Sequence, residues 1–174
     1  MIELGANGLQ LGPIFAAETH GYDTVDHFRI DPRLGDDGDF DALVAAAKDN
    51  GLRIMLDGVF NHVGRGFAAP EHWFSGRDFE GHDALRQLDH GRPEVLDHVV
   101  RVMNHWLDRG ADAWRLDAAY AVEPSFWKAA LEQVRAGHPE AWFTGEVIHG
   151  DYAGYLRDSG LDSVTQYELW KAIW

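Results

Sequence analysis

The chain has 174 residues, 45% of them apolar, with 15 Lys plus Arg against 29 Asp plus Glu and a formal net charge of −14. That size supports one domain with a sizeable core, while the acidic balance argues against nucleic acid or an anionic membrane surface as a partner. With no cysteine, disulfides, thiolate catalysis and Cys-based metal sites are excluded, and no apolar run approaches the length of a membrane span.

The opening residues "MIELGANG" read as the last turn of a helix closed by Gly5, and not as a signal peptide. Cytoplasmic is therefore the default localisation. Gly8–Phe15 reads as a buried strand. A helix follows with Asp39 or Asp41 as its N-cap and Gly51 as its stop. Leu52–Phe60 is a second strand, and residues 63–92 form a long connection rich in glycine and aromatics. Pro93 opens a helix that ends at Gly110, with Val95, Val99, Val102, Met103 and Trp106 on its apolar face. A strand follows over Gly110–Tyr120, then a helix at Pro124–Ala136, a strand at Ala141–Val147, a helical piece near Tyr152–Asp158 and a strand at Asp162–Glu168. "QYELWKAIW" stops where another helix is starting, and Met1 falls where a helix should already be under way.

This alternation predicts an α/β fold with a parallel sheet covered by helices. A doubly wound sheet and a (β/α) barrel both satisfy it. No Gly-x-Gly-x-x-Gly turn or Walker loop follows any strand, which weighs against nucleotide-binding versions. Five strands are counted where a closed barrel has eight.

In parallel α/β folds chemistry collects at the carboxyl ends of the strands. The second strand ends in "DGVFNH", with Asp57, Asn61 and His62; the third in "RLD", with Arg115 and Asp117; the fourth in "GE", with Glu146. Arg115 and Asp117 share one face because side chains alternate, while Trp114 and Leu116 take the other. Two carboxylates on neighbouring strands suit glycosidic-bond cleavage, one ionised and one carrying a proton. Arg115 is expected to favour the Asp117 anion, and burial among Trp142, Phe143 and Val147 to raise the pKa of Glu146. A spacing of about 5–5.5 Å between two such groups marks a retaining mechanism. Seven Trp and five Tyr suit either core packing or stacking on sugar rings.

These motifs resemble the alpha-amylase family, glycoside hydrolase family 13. "DGVFNH" is similar to its first motif, "WRLDAAY" to its second and "TGEV" to its third, and "GYDTVDHFRIDPRLG" to the segment after its second strand. The resemblance implies a (β/α)8 TIM barrel, here partial, covering about strands two to six, with residues 63–92 as a short inserted region. It makes Asp117 the nucleophile and Glu146 the general acid/base. Arg115 positions Asp117 and the sugar, His62 hydrogen-bonds the sugar, Tyr22 stacks on it and Asp57 holds the site together. Asn61 matches a calcium-binding position of many relatives; no other cofactor is implied. Ala113 stands where relatives usually have glycine, and the fourth motif, a His-Asp pair on the seventh strand, has no counterpart.

The substrate expected is an alpha-glucan or small alpha-glucoside, cleaved or transferred. A contrasting expectation is a truncated, non-catalytic product that binds carbohydrate or a partner and self-associates through open barrel edges. A metal-dependent hydrolase with His62 and Asp57 as ligands is the third reading, and it lacks further inward ligands at the strand ends.

Overall fold

The computed structural model describes residues 2–174. In chain order the elements are β1 (Gly8–Gln10), β2 (Phe15–Ala17), β3 (Thr24–Ile30), α1 (Asp37–Asp49), β4 (Arg53–Gly58), β5 (His62–Gly64), β6 (Phe74–Phe79), β7 (His82–Leu88), α2 (Pro93–Asp108), β8 (Ala113–Leu116), α3 (Pro124–Gly137), β9 (Trp142–Gly145), α4 (Tyr152–Ser159), β10 (Ser163–Val164) and α5 (Tyr167–Ile173). Short 3-10 turns occupy Ile2–Leu4, Glu71–Trp73 and Ala119–Ala121.

Five strands form one sheet in the order β1-β4-β8-β9-β10, every pair parallel. The order in space follows the order in sequence. A doubly wound sheet reverses direction at a switch point, whereas successive βα units that never reverse put all helices on one side and curl towards a barrel. The burial pattern agrees. Ile54, Leu56, Trp114, Leu116 and Phe143 pack with Val99, Val102, Met103, Trp106, Trp127, Leu131 and Val134 in one cluster under the helices. The concave face carries Met55, Asp57, Arg115, Trp142 and Thr144 instead.

The helices follow their sequence signals. Pro93 and Pro124 occupy the first turns of α2 and α3, where a missing N–H costs nothing. The cap of α1 differs from expectation: Asp36 is the N-cap, its carboxylate accepting from the amides of Gly38 and Asp39, and Asp39 completes a capping box. Asp41 instead pairs with Arg109 at 2.7 Å.

Four further expectations are corrected. The run Gly8–Phe15 is two strands: β1 joins the main sheet, while β2 pairs antiparallel with β3, because Pro13 between them has no amide for a ladder. The connection 63–92 is a three-stranded antiparallel sheet of order β5-β7-β6. The third strand ends at Leu116, since Ala118 turns into a left-handed conformation (φ 47°). Tyr167 and Glu168 belong to α5 and not to the preceding strand. Of the tryptophans, Trp106, Trp114 and Trp127 are fully buried core, so packing explains them.

The chain's start fits in part: Gly5 is left-handed after the turn Ile2–Leu4, while Met1 lies outside the described residues.

Candidate active site

Parallel register brings the polar strand ends together. Asp57 on β4 is opposite Arg115 on β8, and Arg115 is opposite Thr144 on β9. Asp117 and Glu146 are the first residues beyond β8 and β9. Inward-facing Arg115 therefore sits between three carboxylates. Its Nη1 donates to both Asp57 oxygens at 2.7 and 2.8 Å and to Asp117 Oδ1 at 2.8 Å. Its Nη2 lies 3.0 Å from Glu146 Oε2.

Around this cluster stand the other expected residues. The Tyr22 hydroxyl donates to Asp57 Oδ2 at 3.4 Å. His62 Nε2 is 4.0 Å from Asp117 Oδ2. All six sequence-predicted catalytic and substrate-binding residues thus converge. Glu146 has polar partners besides Arg115. Its Oε2 also accepts from the Ala118 amide at 2.9 Å, and its Oε1 from the Tyr167 hydroxyl at 3.1 Å.

The electrostatics correct one expectation. Burial pushes Asp117 up to about 7; Arg115 opposes this, but the charges of Asp57 and Glu146 add to it. Arg115 was expected to keep Asp117 an anion, yet one guanidinium is shared by three carboxylates, so desolvation and like-charge repulsion win. Burial likewise raises Asp57, against its hydrogen bonds and ion pair with Arg115. Burial works to lower Arg115, and Asp57, Asp117 and Glu146 more than offset it, so Arg115 remains a cation. Burial pushes His62 down to about 4, which leaves a neutral imidazole near pH 7.

A cation already occupies the seat a metal would take between Asp57 and Asp117. Among the described residues no group of three or more His, Asp or Glu side chains is arranged to hold a metal ion. Asn61 fits calcium poorly: its Nδ2 is 3.2 Å from His62 Nδ1 and its Oδ1 accepts from Gln87 Nε2 at 3.5 Å. Calcium seeks several oxygen ligands, carboxylates among them, and neither partner of Asn61 is one.

Sequence reasoning missed four residues of the rim. Phe79 stacks on the His62 ring at 4.3 Å and 10°, and Glu80 accepts from the Tyr120 hydroxyl at 2.6 Å. Tyr167 reaches Glu146 as described. Gly81 was the local turn cue; the side-chain contacts were not readable. Below the cluster the concave face opens into a cavity of about 540 Å3 lined by Gln10, Met55, Ala113 and Trp142 among others.

Three carboxylates around one guanidinium leave the cluster with an excess of negative charge, which favours positive charge over negative beside it. Comparison with known proteins supplies the family. The family model for the alpha-amylase catalytic domain matches residues 1–84. Neopullulanase 2 of Thermoactinomyces vulgaris is 35% identical, over 95% of this chain and 33% of its own length. A cyclomaltodextrinase of Geobacillus thermopakistaniensis is 34% identical, over 97% and 33%. Among solved structures, the cyclic alpha-maltosyl-(1→6)-maltose hydrolase of Arthrobacter globiformis superposes with a TM-score of 0.90 at 33% identity, over 95% of this chain and 43% of that one. The chain spans about a third of the length of these curated relatives. Its sheet is part of a barrel of the (β/α)8 type.

Proposed function

The chain belongs to the alpha-amylase family, glycoside hydrolase family 13, and from that premise we propose that its carboxylate cluster cleaves alpha-glucosidic bonds with retention, through a covalent glycosyl-enzyme intermediate. The observation that carries this reading is the single Arg115 guanidinium bridging Asp117 and Glu146 from neighbouring strands. Asp117 attacks the anomeric carbon as the leaving oxygen takes a proton from Glu146. Glu146 then removes a proton from the water that attacks the ester, which returns Asp117 to its starting state. Arg115 orients both groups, and Asp57 holds Arg115 by two hydrogen bonds. His62, neutral near pH 7, donates to a sugar hydroxyl, and Tyr22, partly exposed, offers a ring face for stacking.

A test of retention is trapping with 5-fluoro-alpha-glucosyl fluoride. In a protein that carries this chain within a complete barrel, a glycosyl ester should appear on the peptide containing Asp117 and be absent from Asp117→Asn. Label on another carboxylate, or undiminished turnover in Asp117→Asn, sinks the assignment.

A second reading is favoured by the open sheet: among the described residues β1 and β10 each pair on one side only. The chain by itself then binds alpha-glucans without turning them over, and associates with another copy through its edges. Binding of maltotriose with no hydrolysis, by a chain that sediments above monomer mass, is the outcome that supports it. Hydrolysis by a monodisperse monomer refutes it.

A further inference from the structure

The hairpin of β6 and β7 reaches the carboxylate cluster and touches it at two points. Phe79, the last residue of β6, lies flat on the His62 ring. Glu80, at the tip, takes the hydroxyl of Tyr120, which sits three residues beyond Asp117. We propose that Glu80 and Tyr120 form a clasp that holds this hairpin over the site, making Glu80 a positioning residue that keeps Phe79 on His62 and His62 towards Asp117.

The backbone argues that the contact is selected by more than the turn itself. Glu80 (φ 52°) and Gly81 (φ 78°) are both left-handed, as the tightest hairpin turns require. Asn or Asp followed by Gly suits such a turn best. A glutamate at the first position costs roughly 1–2 kcal/mol of local strain and brings the turn nothing. Its longer side chain does reach Tyr120, where a carboxylate accepting from a phenol makes a strong, charge-assisted bond. Strained non-glycine residues that persist tend to cluster at functional sites. Among the described residues only Glu80 and Ala118 are non-glycine with positive φ; one makes this contact and the other lies two residues before its partner Tyr120.

The His62 ring is held from several sides. Asn61 meets its Nδ1 edge at 3.2 Å, the Tyr22 backbone bonds the ring, and Phe79 covers its face, with Nε2 4.0 Å from Asp117 Oδ2. Asn61 is adjacent in the chain, but Phe79 stays in place only while the hairpin does. Arg65 secures the hairpin at Asp78 and at the Asp83 carbonyl. Among the described residues, Glu80 supplies the hydrogen bond between the tip and the segment carrying Asp117.

This role matters for catalysis only if the glycosidase reading holds, but its test uses no saccharide, so either can fail alone. Histidine-labelled chain gives ring-proton signals, with His62 assigned by its loss in His62→Gln. Stacking on Phe79 should shift the His62 signals upfield. Glu80→Asn fits the turn better than glutamate yet is too short to reach Tyr120, and it should cut that shift by more than half. Tyr120→Phe, nearly isosteric, should do the same. Glu80→Gln keeps an acceptor at full length and should restore it. Unchanged methyl signals of Leu56, Val99 and Leu131 report an intact core in each variant. An upfield shift that survives both Glu80→Asn and Tyr120→Phe overturns the proposal, and so does a Glu80→Gln variant that behaves like Glu80→Asn.

Discussion

Replacing Asp117 by asparagine should stabilise the fold above neutral pH. Asp117 titrates at about 7 in the folded chain against an ordinary 3.8. A carboxyl whose folded pKa is raised adds stability that is complete below its unfolded value and lost as pH rises through the folded one. From about pH 4 to pH 8 the ionised Asp117 therefore withdraws roughly 4 kcal/mol, at 1.36 kcal/mol per pH unit of displacement. Asparagine at this position cannot ionise and escapes that cost. It weakens the bond to Arg115 at 2.8 Å, and a hydrogen bond to a charged group is worth about 1.5–3 kcal/mol. The balance is a gain of about 1–2.5 kcal/mol at pH 8, which turns into a loss at pH 4, where both folded chains are neutral at this position. Urea unfolding followed by far-UV circular dichroism at the two pH values reads both numbers. A variant less stable than the parent at pH 8, or one whose difference does not depend on pH, refutes the account of a desolvated, crowded carboxylate.

Two further outcomes follow from the packing. His27 and His98 are buried against each other, with Nε2 of His98 3.2 Å from Nδ1 of His27. Burial pushes them down to about 4 and about 3, below the ordinary 6.5. The unfolded chain takes up these protons first, so the pair should destabilise the fold progressively as pH falls from 6.5 to about 3, the reverse of the trend from Asp117. Thermal melts between pH 7 and pH 4 should show His27→Phe/His98→Phe losing less stability than the parent, and equal slopes count against the pair. At Gly145, a Cβ would lie 2.6 Å from Leu161 Cδ1 and 3.2 Å from the Ala119 Cβ. Gly145→Ala should cost about 1–3 kcal/mol by overpacking and break the Ala118–Glu146 hydrogen bond, seen as faster exchange of the Ala118 amide; unchanged stability and exchange would show that the site yields.

What the sequence could disclose is set by which physical constraints are local. The α2 stripe from Val95 to Trp106 and the proline-led starts of α2 and α3 are properties of a single segment, and they were legible. So was the shared face of Arg115 and Asp117, because alternation along one strand needs no neighbour. The antiparallel sheet of residues 62–88 was not legible, since β6 and β7 bury only Phe74 and Leu88 fully and leave no apolar alternation to read. The protonation of Asp117 failed for a different reason. In sequence Arg115 has one carboxylate two residues away; in the fold, register with β4 and β9 adds Asp57 and Glu146. A count of neighbours across strands decides whether a guanidinium makes an anion or merely limits the cost of three. Here the single cation is outnumbered, so desolvation and like-charge repulsion set the protonation of Asp117.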